Sequence, residues 1–498
     1  MSRTRRQPNI LWICTDQQRL DTLGCYGNQF VHTPNLDRLA GSGVRFDRCY
    51  IQSPVCTPSR ASFLTGRYPR TNRCRQNGQT LPEDEVLVTR LLGQGRYKSG
   101  LAGHLLFNAD YFTGLAGKLH VSACHPTVSP EGERHRDHGY EEFHWSHHPT
   151  ADWPTNEYTR WLEEQGVVYQ RRLVEGSRYV YTGVDARYHQ STWCAQKAIK
   201  FITTATTYGR PWLFSVNFFD PHHPFDPPKE YLQRYLDRLD DLPLPRYVEG
   251  ELEEKPVFQS IDHQRAYNTL GLYPYTKMTD RDHRLLRAAY WAMVDLIDDQ
   301  VSRIMRCLED TGQLEDTLVV FMSDHGEMLG DHGMYLKGPY FYEQTVRVPL
   351  ILSWPGVIEG GRSSEALVEL IDVAPTLLEA AELPVPAGMQ GQSLWPRLTG
   401  QASLDSHRDD VYCEYLNAMP WHSNPSPYAT MLRTASHKFV AFHGLDTGEL
   451  YDLERDPSET TNLWNDPAYR TVRVRFLERL LDRIALTADP LPQREAEW

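Results

Sequence analysis

Two short apolar runs, Asn9–Thr15 (N-I-L-W-I-C-T) and Thr317–Met322 (T-L-V-V-F-M), constrain the fold most, because each ends abruptly in polar side chains. The first runs into Asp16, Gln17 and Gln18, and the second into Ser323, Asp324, His325, Gly326 and Glu327. Continuous rather than alternating apolarity marks strands covered on both faces. Both runs are far shorter than the ~18 residues of a membrane span. Trp212–Phe219, closed by Asp220-Pro221-His222-His223-Pro224, and Val348–Ser353, before Trp354-Pro355-Gly356, read as two more strands. Apolar spacing predicts helices over Pro34–Ser42, Glu83–Leu92, His283–Leu308 and Asp372–Ala381. This alternation predicts an α/β fold, a large, mostly parallel mixed sheet sandwiched by helices. Ligands of such sheets bind beyond the carboxyl ends of strands, so the ends at Asp16 and Asp324 are expected to face one pocket.

A length of 498 residues suits one large domain and a smaller one. The large domain is placed at 1–400. Its stretches at about 126–190 and 227–282, rich in His, Pro, aromatics and charge, read as substrate-facing insertions. At 401–498 the texture changes to short alternating segments, Met431–Phe442 and Glu449–Leu453, and a helical stretch, Pro467–Ala485, which predicts a C-terminal α+β subdomain. The formal charge of -13, from 52 basic and 65 acidic residues, argues against a nucleic-acid partner. Nine cysteines without C-x-x-C pairs suggest neither a disulfide framework nor a zinc ribbon. Met1–Gln7 is basic, but the apolar stretch that follows, Ile10–Cys14, is too short for a signal-peptide core; a cytoplasmic protein without a membrane partner is expected.

Asp16, Asp324 and His325 offer hard oxygens and one imidazole, a set suited to Ca²⁺ or a Mn²⁺-like ion rather than a structural zinc. Singly, each also fits an ordinary turn or cap. The stretch Ser53-Pro54-Val55-Cys56-Thr57-Pro58-Ser59-Arg60-Ala61-Ser62-Phe63-Leu64-Thr65-Gly66 closely resembles the sulfatase signature, in which the cysteine of C-x-P-S-R is oxidised to formylglycine. The likeness extends along almost the whole chain, which resembles a type I sulfatase of the alkaline phosphatase superfamily. It implies a metal held by Asp16, Gln17, Asp324, His325 and the modified Cys56, with calcium expected and manganese the alternative. Gln17 stands where some members carry a second aspartate. Gly117-Lys118-Leu119-His120 resembles the second family signature, whose lysine and histidine flank the formylglycine. Asp220-Pro221-His222 resembles the element that brings a histidine to the leaving oxygen, with His223 the lesser candidate. Lys337 in Tyr335-Leu336-Lys337-Gly338 resembles the second sulfate-binding lysine. The resemblance further implies a formylglycine-generating enzyme as maturation partner and a small aryl or sugar sulfate ester as substrate, and leaves a homo-oligomer open.

These residue types answer the demands of the reaction. Attack on a sulfate ester builds charge on the equatorial and leaving oxygens, so Arg60, Lys118, Lys337 and the metal would surround it in place of water. The hydrated aldehyde at position 56 would supply the attacking hydroxyl, with Asp324 helping to deprotonate it. His222 would protonate the leaving oxygen, and His120 would take a proton from the covalent sulfo-enzyme intermediate so that sulfate is expelled. The glycine-rich signature occurs twice: Gly100-Leu101-Ala102-Gly103 recurs as Gly114-Leu115-Ala116-Gly117, and only the second copy leads into a lysine. A phosphonate monoester or phosphodiester hydrolase of the same superfamily is the nearest alternative, and a silent anion-binding homologue is another; Thr57-Pro58-Ser59-Arg60 favours sulfatase. The histidines 135, 138, 144, 147 and 148, with Trp145 and Trp153, read as walls of the substrate cleft, with a second metal site as the lesser reading.

Overall fold

The computed structural model describes residues 7–93, 97–98, 106–107, 109–133, 138–149 and 155–491. Nine strands form one sheet: β1 (Asn9–Thr15), β2 (Val44–Tyr50), β3 (Phe112–Gly117), β4 (Glu142–Trp145), β5 (Trp212–Asn217), β6 (Thr317–Ser323), β7 (Arg347–Ser353), β8 (Arg362–Ser364) and β9 (Val368–Glu369). Their order is β8-β2-β7-β6-β1-β5-β3-β4, with β9 also on β2. All pairs are parallel except those of β7, which runs antiparallel to both neighbours. The mixed, mostly parallel sheet expected from the apolar runs is therefore present. The two runs lie side by side, with Ile13 opposite Phe321 and Thr15 opposite Ser323, and their apolar side chains are buried on both faces.

Helices cover the sheet. The longest, Asp280–Asp310, opens on a capping box in which Thr279 and Asp282 satisfy each other's backbone N–H groups. It packs against Gln190–Ala205, a helix the sequence reading does not assign although Trp193, Ala198, Phe201 and Ile202 form its buried stripe. The expected helix at Glu83–Leu92 shrinks to Val88–Gly93, because Glu85 turns inward to pair with Arg67 at 3.0 Å. The insertions hold short helices, among them Glu157–Glu164, Lys229–Leu236 and Val257–Gln264.

Strand β3 is unexpected by propensity, since glycine is a poor strand former. Here glycine is required by space: a Cβ on Gly114 would stand 2.6 Å from the Phe214 ring. Thus the second glycine-rich copy forms a fully buried strand between β5 and β4. The first copy, Gly100–Gly103, lies outside the described residues, between two short strands, Tyr97–Lys98 and Leu106–Phe107, that pair antiparallel in a separate ladder.

Near the C-terminus, Val411–Leu416, Tyr428–Arg433, His437–Phe442 and Thr447–Asp452 form a four-stranded antiparallel sheet, followed by the helix Arg470–Leu486. Alternation divides its faces: Val411, Cys413 and Tyr415 join the main core, whereas Tyr412, Leu432, Phe439 and Leu450 pack with Phe476 and Leu480 of that helix. Met431–Phe442, read as one alternating segment, is two strands around a turn. All nine cysteines are free thiols. Among the described residues no helix is long and apolar enough to cross a membrane.

Gly117 closes β3 at a φ of +107°, and a Cβ there would lie 1.9 Å from the Asn217 carbonyl oxygen. Gly117→Ala should cost about 1–3 kcal/mol of stability, seen as a lower urea midpoint, and should also reduce turnover by displacing the adjoining Lys118.

Candidate active site

Four adjacent parallel strands, β6, β1, β5 and β3, end at one edge of the sheet. Backbone bonds continue the register beyond them: Asp324 N–H donates to Thr15 O (3.2 Å), Asp16 N–H to Asp220 O (3.2 Å) and Lys118 N–H to Asn217 O (3.1 Å). Asp324 and His325, Asp16 and Gln17, Asp220 to His222, and Lys118 to His120 are thereby brought to one place. The buried helix Cys56–Thr65 approaches this edge with Cys56 as its first residue.

The Cys56 sulfur lies 2.9 Å from Lys337 Nζ, 3.1 Å from His325 Nε2 and 3.9 Å from Asp16 Oδ1. Burial pushes this thiol up, but Lys118, Lys337 and His325, with a contribution from His120, outweigh it and hold it well below its ordinary value. Arg60, one turn along the same helix, is fully buried and forked. Its Nε donates to Asp324 Oδ2 (2.7 Å), one terminal nitrogen to Lys118 O (2.8 Å) and the other to Asp16 Oδ2 (3.4 Å). Lys118 Nζ bonds Asp16 Oδ2, and Lys337 Nζ donates to Gln17 Oε1 at 2.8 Å. Burial would pull Lys118 down, yet Asp16 and Cys56 keep it raised and charged.

Burial and Lys337 hold His222 below the usual imidazole range; its Nδ1 donates to His223 O at 2.5 Å, and its ring packs on Phe219. Burial and Lys118 likewise lower His120. The structure thus gathers every residue singled out from the sequence: Asp16, Gln17, Cys56, Arg60, Lys118, His120, His222, Asp324, His325 and Lys337. The histidine stretch divides: His147 and His148 reach this site, whereas His138 and His144 pair elsewhere. His138 stacks on Phe143, His144 pairs with Glu157 at 3.0 Å, His147 meets His120, and His148 meets Phe219. His135 and Trp153 lie outside the described residues.

The sulfatase family model matches residues 8–383, and the model of the C-terminal part of N-sulphoglucosamine sulphohydrolase matches residues 330–485. The chain belongs to the sulfatase family. It is 29% identical to an arylsulfatase of Clostridium perfringens, over 95% of this chain and 94% of that protein. It is equally 29% identical to a multifunctional alkaline phosphatase superfamily protein of Trinickia caryophylli, over 95% and 94%. Among solved structures it resembles a phosphonate monoester hydrolase of Silicibacter pomeroyi, with a TM-score of 0.80, 26% identity and coverage of 97% and 96%.

In this sulfatase, several positioning groups escaped the sequence reading. Glu327 receives the Gln17 side-chain amide and so turns Gln17 Oε1 toward Lys337. Its place three residues after Asp324 was a usable signal. Glu133 accepts from the backbone N–H groups of His120 (2.7 Å), Val121 and Ser122 (3.0 Å), and nothing in the sequence marks it. Asn217 holds the Lys118 carbonyl at 2.8 Å.

The donor set fits a divalent cation. His325 Nδ1 donates to Gly326 O (2.9 Å), leaving Nε2 turned to the cluster, 3.7 Å from both Asp16 Oδ1 and Asp324 Oδ1. Ligands about 2.3–2.6 Å from a calcium-sized ion and at right angles to each other stand about 3.3–3.7 Å apart, so the spacing matches. Removing the fork by Arg60→Ala leaves two buried carboxylates short of a partner, and unfolding free energy should fall by about 3–5 kcal/mol in urea titrations.

Proposed function

We propose that this sulfatase hydrolyses small aryl or sugar sulfate esters with a nucleophile made from Cys56 by oxidation to formylglycine. The reading is carried by one observation: the Cys56 side chain opens a buried helix inside a ring of Lys118, Lys337, His325 and Asp16, within the family signature. Asp16, Gln17, Asp324 and His325, with the modified residue 56, would hold one divalent cation, calcium by its hard donors and spacing, which when bound would lower the pKa of the nucleophilic hydroxyl and offset charge on the ester oxygens.

The chain's own residues perform the remaining tasks. Lys118 and Lys337 flank position 56 and bind the anionic sulfate oxygens, replacing water with fixed charge. Arg60 keeps Asp16, Asp324 and the Lys118 carbonyl in place. His222 delivers a proton to the departing alcohol oxygen as its bond to sulfur breaks; an anion bound beside His222 favours the protonated form that burial disfavours. His120, kept neutral by burial and Lys118, takes a proton from the remaining hydroxyl at position 56, so that sulfate leaves and the aldehyde returns. A phosphonate monoester hydrolase is the second reading, supported by likeness to two such structures, from Silicibacter pomeroyi and Agrobacterium radiobacter.

Mass spectrometry of the tryptic peptide Cys49–Arg60, from protein made in a host that performs the modification, should find residue 56 lighter by the exchange of H₂S for O. Aryl sulfate should be cleaved faster than aryl phosphonate, with activity lost in Cys56→Ala and on chelation and restored by Ca²⁺. Unmodified cysteine with neither ester cleaved overturns the reading, and faster phosphonate cleavage favours the second. His222→Ala should lower kcat by about 10²–10⁴-fold for an alkyl or sugar ester, and far less for a nitrophenyl ester whose leaving group needs no proton.

A further inference from the structure

His120, Cys124 and His147 come from two loops, one after β3 and one after β4, yet their ligand atoms all lie within 4.8 Å of one another. The two imidazole rings meet edge to face with centroids 4.3 Å apart. The loops are held independently of these side chains. Glu133 takes the backbone N–H groups of His120, Val121 and Ser122 and also the Trp145 indole N–H (3.0 Å), while Ser146 N–H donates to Gly117 O (3.0 Å). His120 Nδ1 is buried with no hydrogen-bond partner, so one lone pair of this ring is unspent. His147 is partly exposed, which opens the cluster to solvent.

Two imidazoles and one thiol make a soft set, unlike the hard oxygens around Asp16, and such sets select zinc-like ions over calcium. We propose that His120, Cys124 and His147 form a second site for a zinc-like divalent ion, with water as fourth ligand, and that filling it stops turnover. Tetrahedral zinc places nitrogen and sulfur ligands about 3.3–3.6 Å apart, so side-chain rotations of about 1 Å close the cluster around the ion. Each imidazole offers the ion one nitrogen lone pair, and the thiol proton passes to solvent as the metal–sulfur bond forms. The inhibition rests on His120 as the proposed base, since an ion on its ring removes the lone pair that takes the proton. Cys124 has no part in the proposed reaction.

The test uses Co²⁺ as a spectroscopic probe on enzyme kept in excess Ca²⁺, and Zn²⁺ in turnover assays. The expected result is a near-ultraviolet thiolate-to-cobalt band with tetrahedral visible bands, saturating at one equivalent. It should persist in Cys56→Ser, vanish in Cys124→Ser and weaken in His147→Gln. Zn²⁺ should slow the wild type by about tenfold or more, whereas Cys124→Ser keeps the basal rate and escapes inhibition. Absence of the band, or its survival in Cys124→Ser, overturns the site. A band with turnover unchanged leaves the site standing and overturns His120 as the base. Circular dichroism of both variants separates loss of ligation from loss of fold.

Discussion

The Arg60 guanidinium is the tie on which the centre depends. Three of its nitrogens reach three different strand ends: Asp324 beyond β6, the Lys118 carbonyl beyond β3 and Asp16 beyond β1. A planar fork can do this because its donors diverge at fixed angles, which a single ammonium group cannot reproduce. The helix that supplies Arg60 also begins at Cys56, so the group that fixes the strand ends fixes the position of Cys56 in the same act. The constellation is therefore held by the core, the kind of support that preorganised electrostatics requires.

That arrangement is costly in isolation, since burying charge forfeits hydration. Three cations, Arg60, Lys118 and Lys337, stand against two carboxylates, Asp16 and Asp324, and each makes at least one bond to an oppositely charged or polar partner. The excess positive charge is a receptive field for an anion. It also explains the contrast between the acids: Asp16, surrounded by Lys118, His222 and Arg60, is held low despite burial and the Cys56 thiol, whereas burial leaves Glu327, bonded to Gln17, raised.

Much of this could be read from residue order. The apolar runs before Asp16 and Asp324 announce strands whose polar ends meet at one place, and Cys56 to Gly66 carries the family signature around which they meet. What stayed hidden has physical reasons. Strand β3 is disguised by Gly114 and Gly117, chosen for closeness to Phe214 and Asn217 rather than for strand propensity. Strand β2 (V-R-F-D-R-C-Y) alternates with charge, as suits its half-covered place near the sheet edge, and lacks the continuous apolarity of its neighbours. Glu133 acts on backbone N–H groups, which have no sequence signature, so only the folded chain reveals that it holds the loop of His120.

Sulfate monoesters and phosphonate monoesters present the same single negative charge, so the field of Lys118 and Lys337 suits either one. Discrimination must come from the side where the alcohol leaves. There the wall is neutral: burial and neighbouring charge keep His222, His223 and His148 low, and burial keeps the phenols of Tyr267 and Tyr273 protonated. Rings meet along it, His223 against Tyr267 and Tyr273, and Tyr267 stacked on Trp421 with centroids 4.1 Å apart. Faces of this kind favour contact with a flat ring. The same burial lowers the histidines and raises the phenols, so both kinds of ring along this wall stay neutral, and a low local dielectric strengthens the field of the lysines beside it.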